Sequence, residues 1–330
     1  MVKNKTGSNR YFLWGFFTIL LLGALSGLTG GAGSAAPAES LPVITVSTPE
    51  EFMKAIGPDR IIRIEAEVLQ LPNEKVRFTN DYITQEEVID GYQLLIHNVA
   101  NLTITGAGEK PVRILSEPVY GYVLGFRNAE KIRIQSVEAG HIPGTRECVM
   151  GVLYFENCRE IEIDRSILFG CGFEGVELLE VDGFLMKDSV IRECVSGIMT
   201  IKKSRNCLFT NSAFLENQGW HMIRIKDAAN IRFSGCRIEG NIAYNNEHSS
   251  IFDVSTSEEV VVEDCLVENN TVARFTYRGT GLTVKETTVE NNRFHQVASG
   301  NIEEDNDSAA PPSPYAEYSI NLEYLIGLYV

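Results

Sequence analysis

Tryptophan occurs twice and histidine five times in the 330 residues, and basic residues are outnumbered, with 29 Lys and Arg against 44 Asp and Glu. Three of the basic residues, Lys3, Lys5 and Arg10, fall in the first 38 positions, so residues 39–330 keep 26 against all 44, a net of −18. Nucleic acid and anionic membrane both require basic surface, which excludes them as expected partners of this part of the chain. Direct binding of polyuronates is disfavoured for the same reason unless a cation bridges them. The seven cysteines show neither a C-x-x-C nor a zinc-finger spacing, so no metal centre is expected from them. None of the apolar stretches in the middle of the chain is long enough or 3.6-periodic enough for a helix.

What the chain has instead is a repeat of unequal length. Ile96-His-Asn-Val-Ala-Asn-Leu-Thr-Ile104, Phe126-Arg-Asn-Ala-Glu-Lys-Ile-Arg-Ile134 and Phe155-Glu-Asn-Cys-Arg-Glu-Ile-Glu-Ile163 share an apolar anchor followed six and eight residues later by two more. Ile225 to Phe233 and Val254 to Val262 repeat the pattern. Leu179 and Ile201 head weaker copies, the first one residue short, and the anchors lie 22 to 30 residues apart. Repeats of this length are stacked units that bury their faces only against neighbours. A second half repeats too, in Ser166-Ile-Leu-Phe-Gly-Cys171, Ser189-Val-Ile-Arg-Glu-Cys194, Ser212-Ala-Phe-Leu-Glu-Asn217, Cys236-Arg-Ile-Glu-Gly-Asn241 and Cys265-Leu-Val-Glu-Asn-Asn270. Each unit therefore holds three short period-2 stretches separated by turns. Coiled and stacked, such units make an all-β parallel β-helix, with equivalent residues of successive coils about 4.8 Å apart. The column Cys171, Cys194, Asn217, Asn241, Asn270, Asn292 then becomes an inward ladder whose amides satisfy one another and the turn backbone. Ser166, Ser189, Ser212, Cys236 and Cys265 form a second column.

With these repeats the chain resembles the right-handed parallel β-helix superfamily, the pectate-lyase-like fold. The stretch Gly140-His-Ile-Pro-Gly-Thr-Arg-Glu-Cys148 through Leu168-Phe-Gly-Cys-Gly172 is similar to secreted bacterial β-helix domains. The likeness covers roughly residues 43 to 295. It implies the fold, right-handed, and leaves the activity open, because that superfamily hosts lyases, hydrolases, epimerases and pure binding proteins.

The ends read differently. Residues 1–38 carry Lys3, Lys5 and Arg10, an apolar run from Tyr11 to Leu28 and Ala36-Pro-Ala38, the plan of a secretory signal peptide. The expected location is extracytoplasmic. The alternative is a membrane tether through residues 11–28, since about 18 apolar residues is the lower limit for a spanning helix. Thr48, Pro49, Glu51 and Gly57 signal a short helix over about 48–57, whose Phe52, Ala55 and Ile56 would cap the first coil. The β-helix domain is assigned to 39–300, an acidic and Pro-rich linker to 301–314, and an apolar segment, cap or attachment point, to 315–330. Cys171, Cys194, Cys236 and Cys265 are expected as free buried thiols, and Cys148 and Cys158 as the better placed for a disulfide.

Long loops beside a rigid scaffold are where function is placed. The insertions at 116–121, 138–149 and 242–249 all precede the anchor strand. Alternation from the inward anchors makes Tyr154, Glu177 or Leu178, Thr200, Arg224 and Asp253 outward, with His141, Arg146, Glu174, His221 and His248 in the loops beside them. A hydrolase needs two carboxylates roughly 5 to 10 Å apart, whereas Glu177 and Asp253 are three coils, on the order of 14 Å, apart. A lyase needs a base and a cation that neutralises the uronate carboxylate; His221 or Arg224 would be the base, with Glu174, Glu177 and Asp253 the available carboxylates and Ca2+ the cofactor. The plain reading of Arg224 and Asp253 is an ion pair between adjacent coils. A binding module asks less. Tyr154, His141, Arg146, Trp220 and His248, with Tyr120, Tyr122, Tyr244 and Tyr277 near the same loops, suit a polysaccharide without any cofactor. The expectation is a non-catalytic carbohydrate-binding or structural domain, and the alternative a polysaccharide lyase.

Overall fold

In the computed structural model the described residues are 40–142, 149–170, 173–243, 248–279 and 281–294. The described residues from 41 to 294 fall in one compact unit. Residues 1–38, expected as a signal peptide, the expected linker at 301–314 and the segment 315–330 lie outside the described residues.

The period-2 stretches stack into three parallel sheets. The first has ten strands, from Val43–Val46 through Arg159–Asp164 to Leu282–Lys285. The second has nine, from Val68–Gln70 to Thr288–Glu290, and the third runs from Gly91–His97 to Arg274–Gly279. The chain is a right-handed parallel β-helix, and its core is the column of anchors. Ile96, Phe126, Phe155, Leu178, Ile201, Ile225 and Val254 are all 0% exposed. Aromatic rings stack between coils, with centroids 5.0 Å apart for Phe126 and Phe155 and 4.7 Å for Phe209 and Phe233.

Register corrects one anchor. Phe155 pairs with Leu178, and Leu178 with Ile201, so Leu178 points inward rather than Leu179. Counted from Leu178, Phe184 and Met186 fall six and eight residues on, so that coil is not one residue short. The adjacent Leu178 and Leu179 had made the two choices equivalent by composition.

The Asn ladder forms as a chain of buried amides. Asn241 Oδ1 accepts from the Asn217 backbone N–H at 2.9 Å and from Asn217 Nδ2 at 3.0 Å. Asn270 Oδ1 serves Asn241 in the same way, at 2.9 and 2.8 Å. In the second column, the Ser166 N–H donates to Ser189 Oγ at 3.1 Å and the Ser189 N–H to Ser212 Oγ at 3.2 Å. The ladder also explains a feature the repeat did not announce. Two-residue strands at Gln218–Gly219, Ile242–Ala243, Thr271–Val272 and Arg293–Phe294 form a fourth sheet, so these coils have four strands instead of three. Each directly follows a ladder Asn, whereas no strand follows Cys194. An amide fixed to the coil above aligns the next two residues for pairing, and a thiol does not.

The helix spans Pro49–Ala55, shorter than 48–57, because Ile56 is already extended. Thr48 Oγ1 accepts from the Glu51 N–H at 3.2 Å, and Glu51 Oε2 accepts from the Thr48 N–H at 3.1 Å. Phe52, Met53 and Ile56 are at most 1% exposed and close the N-terminal end of the core. A second unannounced element is the strand Ile83–Val88, which pairs antiparallel with Gly91–His97 on the N-terminal edge of the third sheet. Its two-residue turn is Ile89-Asp90, with Val88 paired to Gly91. The added strand shields that edge from other chains.

Cys158, Cys194, Cys207, Cys236 and Cys265 are free and buried. Cys158 therefore corrects the disulfide expectation: its thiol points inward and donates to the carbonyls of Glu156 at 3.3 Å and Phe126 at 3.6 Å. Burial pushes the Cys158 thiol up to about 11 and those of Cys194 and Cys207 up to about 12, so all three stay protonated and inert. Cys148 and Cys171 lie outside the described residues.

Candidate functional site

The outward column of the third sheet runs in register as Tyr154, Glu177, Thr200, Arg224 and Asp253. Parallel pairing places the five side chains in line on successive coils, which fixes Glu177, not Leu178, as the outward member. Three local networks sit on this line.

At its N-terminal end Tyr122 and Tyr154 stack with centroids 4.8 Å apart. The Tyr122 hydroxyl donates to Glu177 Oε2 at 2.5 Å. Burial, reinforced by the Glu177 charge, raises the Tyr122 phenol well above the ordinary range, so it stays a hydrogen-bond donor.

In the centre Glu174 reaches over from its loop, only 3% exposed. Its Oε1 accepts from Thr200 Oγ1 at 2.9 Å and from Arg224 Nη2, while Arg224 Nε donates to Thr200 Oγ1 at 3.0 Å. Gly197 makes room for this carboxylate. Its φ is +148°, and a Cβ there would stand 3.0 Å from the His221 carbonyl and 3.5 Å from Glu174 Oε1. Burial lowers the Arg224 guanidinium from its ordinary value, and the Asp253 charge works against that shift.

At the C-terminal end Asp253, 4% exposed, receives a bidentate fork from Arg278, Nε at 2.7 Å and Nη2 at 2.5 Å. His221 Nδ1 hydrogen-bonds Ser250 Oγ at 2.9 Å, and its Nε2 stands 3.8 Å from Asp253 Oδ2. Burial lowers the His221 pKa against the pull of Asp253. Ser250, His221 and Asp253 do not form a hydrolytic triad: Ser250 is 0% exposed, and 3.8 Å exceeds a hydrogen bond. The Tyr277 ring stacks on His221 at 5.3 Å and meets His248 edge-on at 5.1 Å. The guanidiniums of Arg274 and Arg278 lie 5.6 and 5.4 Å from its centre.

Several expectations change. The Arg224–Asp253 ion pair is replaced by two others, Arg224 with Glu174 and Arg278 with Asp253. Arg278 was not foreseen because a β-bulge shifts the count: Phe252 pairs with Thr276, but Val254 pairs with Gly279. One extra residue on the outer strand lets both Tyr277 and Arg278 face Asp253, as bulges do when they re-aim side chains. His141 does not reach the surface. It is 1% exposed, its Nε2 hydrogen-bonds the Gly121 carbonyl at 2.9 Å, and burial lowers its pKa. Trp220 is 53% exposed beside His221. Arg146 and Tyr244 lie outside the described residues. Among the described residues no three His, Cys, Asp or Glu side chains converge as a metal site would require.

Residues 146–294 match the family model "Right handed beta helix region". That stretch is just under half of the chain, and the fold it describes, a right-handed parallel β-helix, is the one the coils adopt. No curated protein sequence matches it. Among solved structures it is similar to an alginate lyase from Paenibacillus sp. str. FPU-7, at 11% identity over 76% of this chain and 99% of that one, with a TM-score of 0.40. It is also similar to the ORF18 protein of Geobacillus virus E2, at 13% identity over 71% of this chain and 54% of that one, TM-score 0.45. For the pectate lyase Pel9A the figures are 12% identity over 79% and 82% of the two chains, TM-score 0.40. Similarities this distant carry no activity over to this chain.

Proposed function

We propose that the outward face of the third sheet binds a carbohydrate chain without cleaving it. The observation that carries this reading is the state of the carboxylates. Glu174, Glu177 and Asp253 are each tied down, to Arg224 and Thr200, to Tyr122, and to Arg278 respectively. Such acids position their partners rather than act as a matched acid and base, which hydrolysis requires as a pair across one bond. What the networks leave toward solvent is ring faces and guanidinium edges. Trp220 is 53% exposed, and the Arg278 and Arg224 side chains are 56% and 36% exposed. From the Tyr122 coil to the Tyr277 coil is six coil steps, on the order of 29 Å at about 4.8 Å each. A face of that length suits several sugar rings laid along the axis, with aromatic side chains under their apolar sides and fixed donors at their hydroxyls.

The test is retention of the purified protein on a panel of neutral and acidic polysaccharides, with and without calcium. Loss of one stacking or charged contact is worth about 1.4 kcal/mol, so Trp220→Ala and Arg224→Met should each weaken retention about tenfold. The same samples are assayed for new reducing ends and for unsaturated-uronate absorbance. Product release would replace the binding reading with the lyase reading, in which Arg224 or His221 is the base. Unchanged retention in both variants would remove this face as the site.

A further inference from the structure

The two ends of the coil stack are closed differently. At the N-terminal end the helix Pro49–Ala55 seals the core. At the other end Leu282, Val284, Val289 and Phe294 stand in register under Val260, Val262, Val267 and Val272. The upper four are 0% exposed, yet Val284 is 44%, Val289 43% and Phe294 38% exposed. These three are core positions by register and surface by exposure. The strands that carry them, Leu282–Lys285, Thr288–Glu290 and Arg293–Phe294, are also the outermost of their sheets. An apolar floor rimmed by open strand edges is the feature that natural sheets keep covered.

We propose that residues 318–330 of the same chain cover this floor, with the alternating part, 318–324, as the pairing strand. Every even position there is apolar, in Tyr318, Ile320, Leu322, Tyr324, Ile326, Leu328 and Val330. The odd positions are polar in Ser319, Asn321 and Glu323 and then turn to Leu325, Gly327 and Tyr329, so the alternating part is 318–324 and an apolar run completes the segment. The period-2 alternation of residues 318–324 fits a strand with one buried and one wet face, which is what the end of a coil stack offers: a floor for the apolar side and strand edges for the backbone. The 23 residues from 295 to 317 can reach roughly 75 Å when extended, far more than one coil requires. Tethering also holds the segment at millimolar effective concentration, which favours it over a second copy of the chain.

Hydrogen exchange of the full-length chain tests this, comparing the native sequence with a Leu322→Asp, Ile326→Asp double variant and an Asn321→Asp variant. The expected result is that amides of residues 282–294 exchange at least tenfold faster in the even-position double variant. They should be unchanged in the odd-position variant and independent of protein concentration. Equal exchange in the native chain and the double variant overturns the proposal. Protection that rises with protein concentration also overturns it and assigns the floor to a second copy.

Discussion

Asn241→Ala is expected to lower the stability of the β-helix by about 3–5 kcal/mol, near the upper end for single substitutions. Asn241 is 0% exposed and holds both directions of the ladder. Its Oδ1 is the acceptor for the Asn217 N–H at 2.9 Å, and its Nδ2 donates to the Phe214 carbonyl at 3.0 Å and to Asn270 Oδ1 at 2.8 Å. Alanine orphans the buried Asn217 N–H, at about 1–3 kcal/mol, and removes one hydrogen bond each from the Phe214 carbonyl and the Asn270 amide oxygen. It also removes the amide that aligns Ile242–Ala243, so the fourth sheet should be interrupted at that coil. Equilibrium urea unfolding measures the loss. A midpoint unchanged within error would mean that water or a neighbouring group replaces the ladder.

Phe209→Ala is the second large effect, about 3–5 kcal/mol from lost transfer energy and the cavity left behind. Phe209 is 0% exposed, stacks on Phe233 at 4.7 Å, and meets Phe184 at 5.4 Å and Phe214 at 6.3 Å. Rigid sheets on all sides limit collapse into the space. Phe209→Leu keeps most of the volume and should cost about 1.5 kcal/mol or less. Because each coil is stabilised mainly by its neighbours, the amides that lose protection in Phe209→Ala should cluster in the coils of Phe184, Phe209 and Phe233. Loss spread evenly from Ile96 to Val262 would contradict a stack held together coil by coil.

Much of the architecture was legible because the repeat encodes it twice, in apolar anchors and in the ladder of small and amide residues. The anchors at 96, 126, 155, 201, 225 and 254 and the helix over Phe52 follow from spacing and capping alone. The slip at Leu178 came from two adjacent leucines, which composition cannot order but register can. The fourth sheet follows the ladder, in the difference between Asn217 and Cys194, and only the structure shows that a two-residue strand comes after each amide. The outward line from Tyr154 to Asp253 was legible for the reason the anchors were, since side chains in a strand alternate. Its pairing was not. Which carboxylate meets which guanidinium depends on a loop residue, Glu174, folding back over Thr200, and on a bulge that presents Arg278 to Asp253. Neither leaves a periodic trace. His141 shows the opposite failure: loop position suggested exposure, whereas the residue continues the inward column of the second sheet beneath Ser116.

The central proposal is that the third sheet carries a carbohydrate-binding face while the other three sheets serve as scaffold. Hydrogen-exchange footprinting of the protein with and without a retained polysaccharide tests it most directly. Slowed exchange confined to the third-sheet strands from Leu124–Arg127 through Arg274–Gly279, with the first sheet unchanged, is the expected result. Protection centred instead on the first or second sheet, with those strands unaffected, would contradict it.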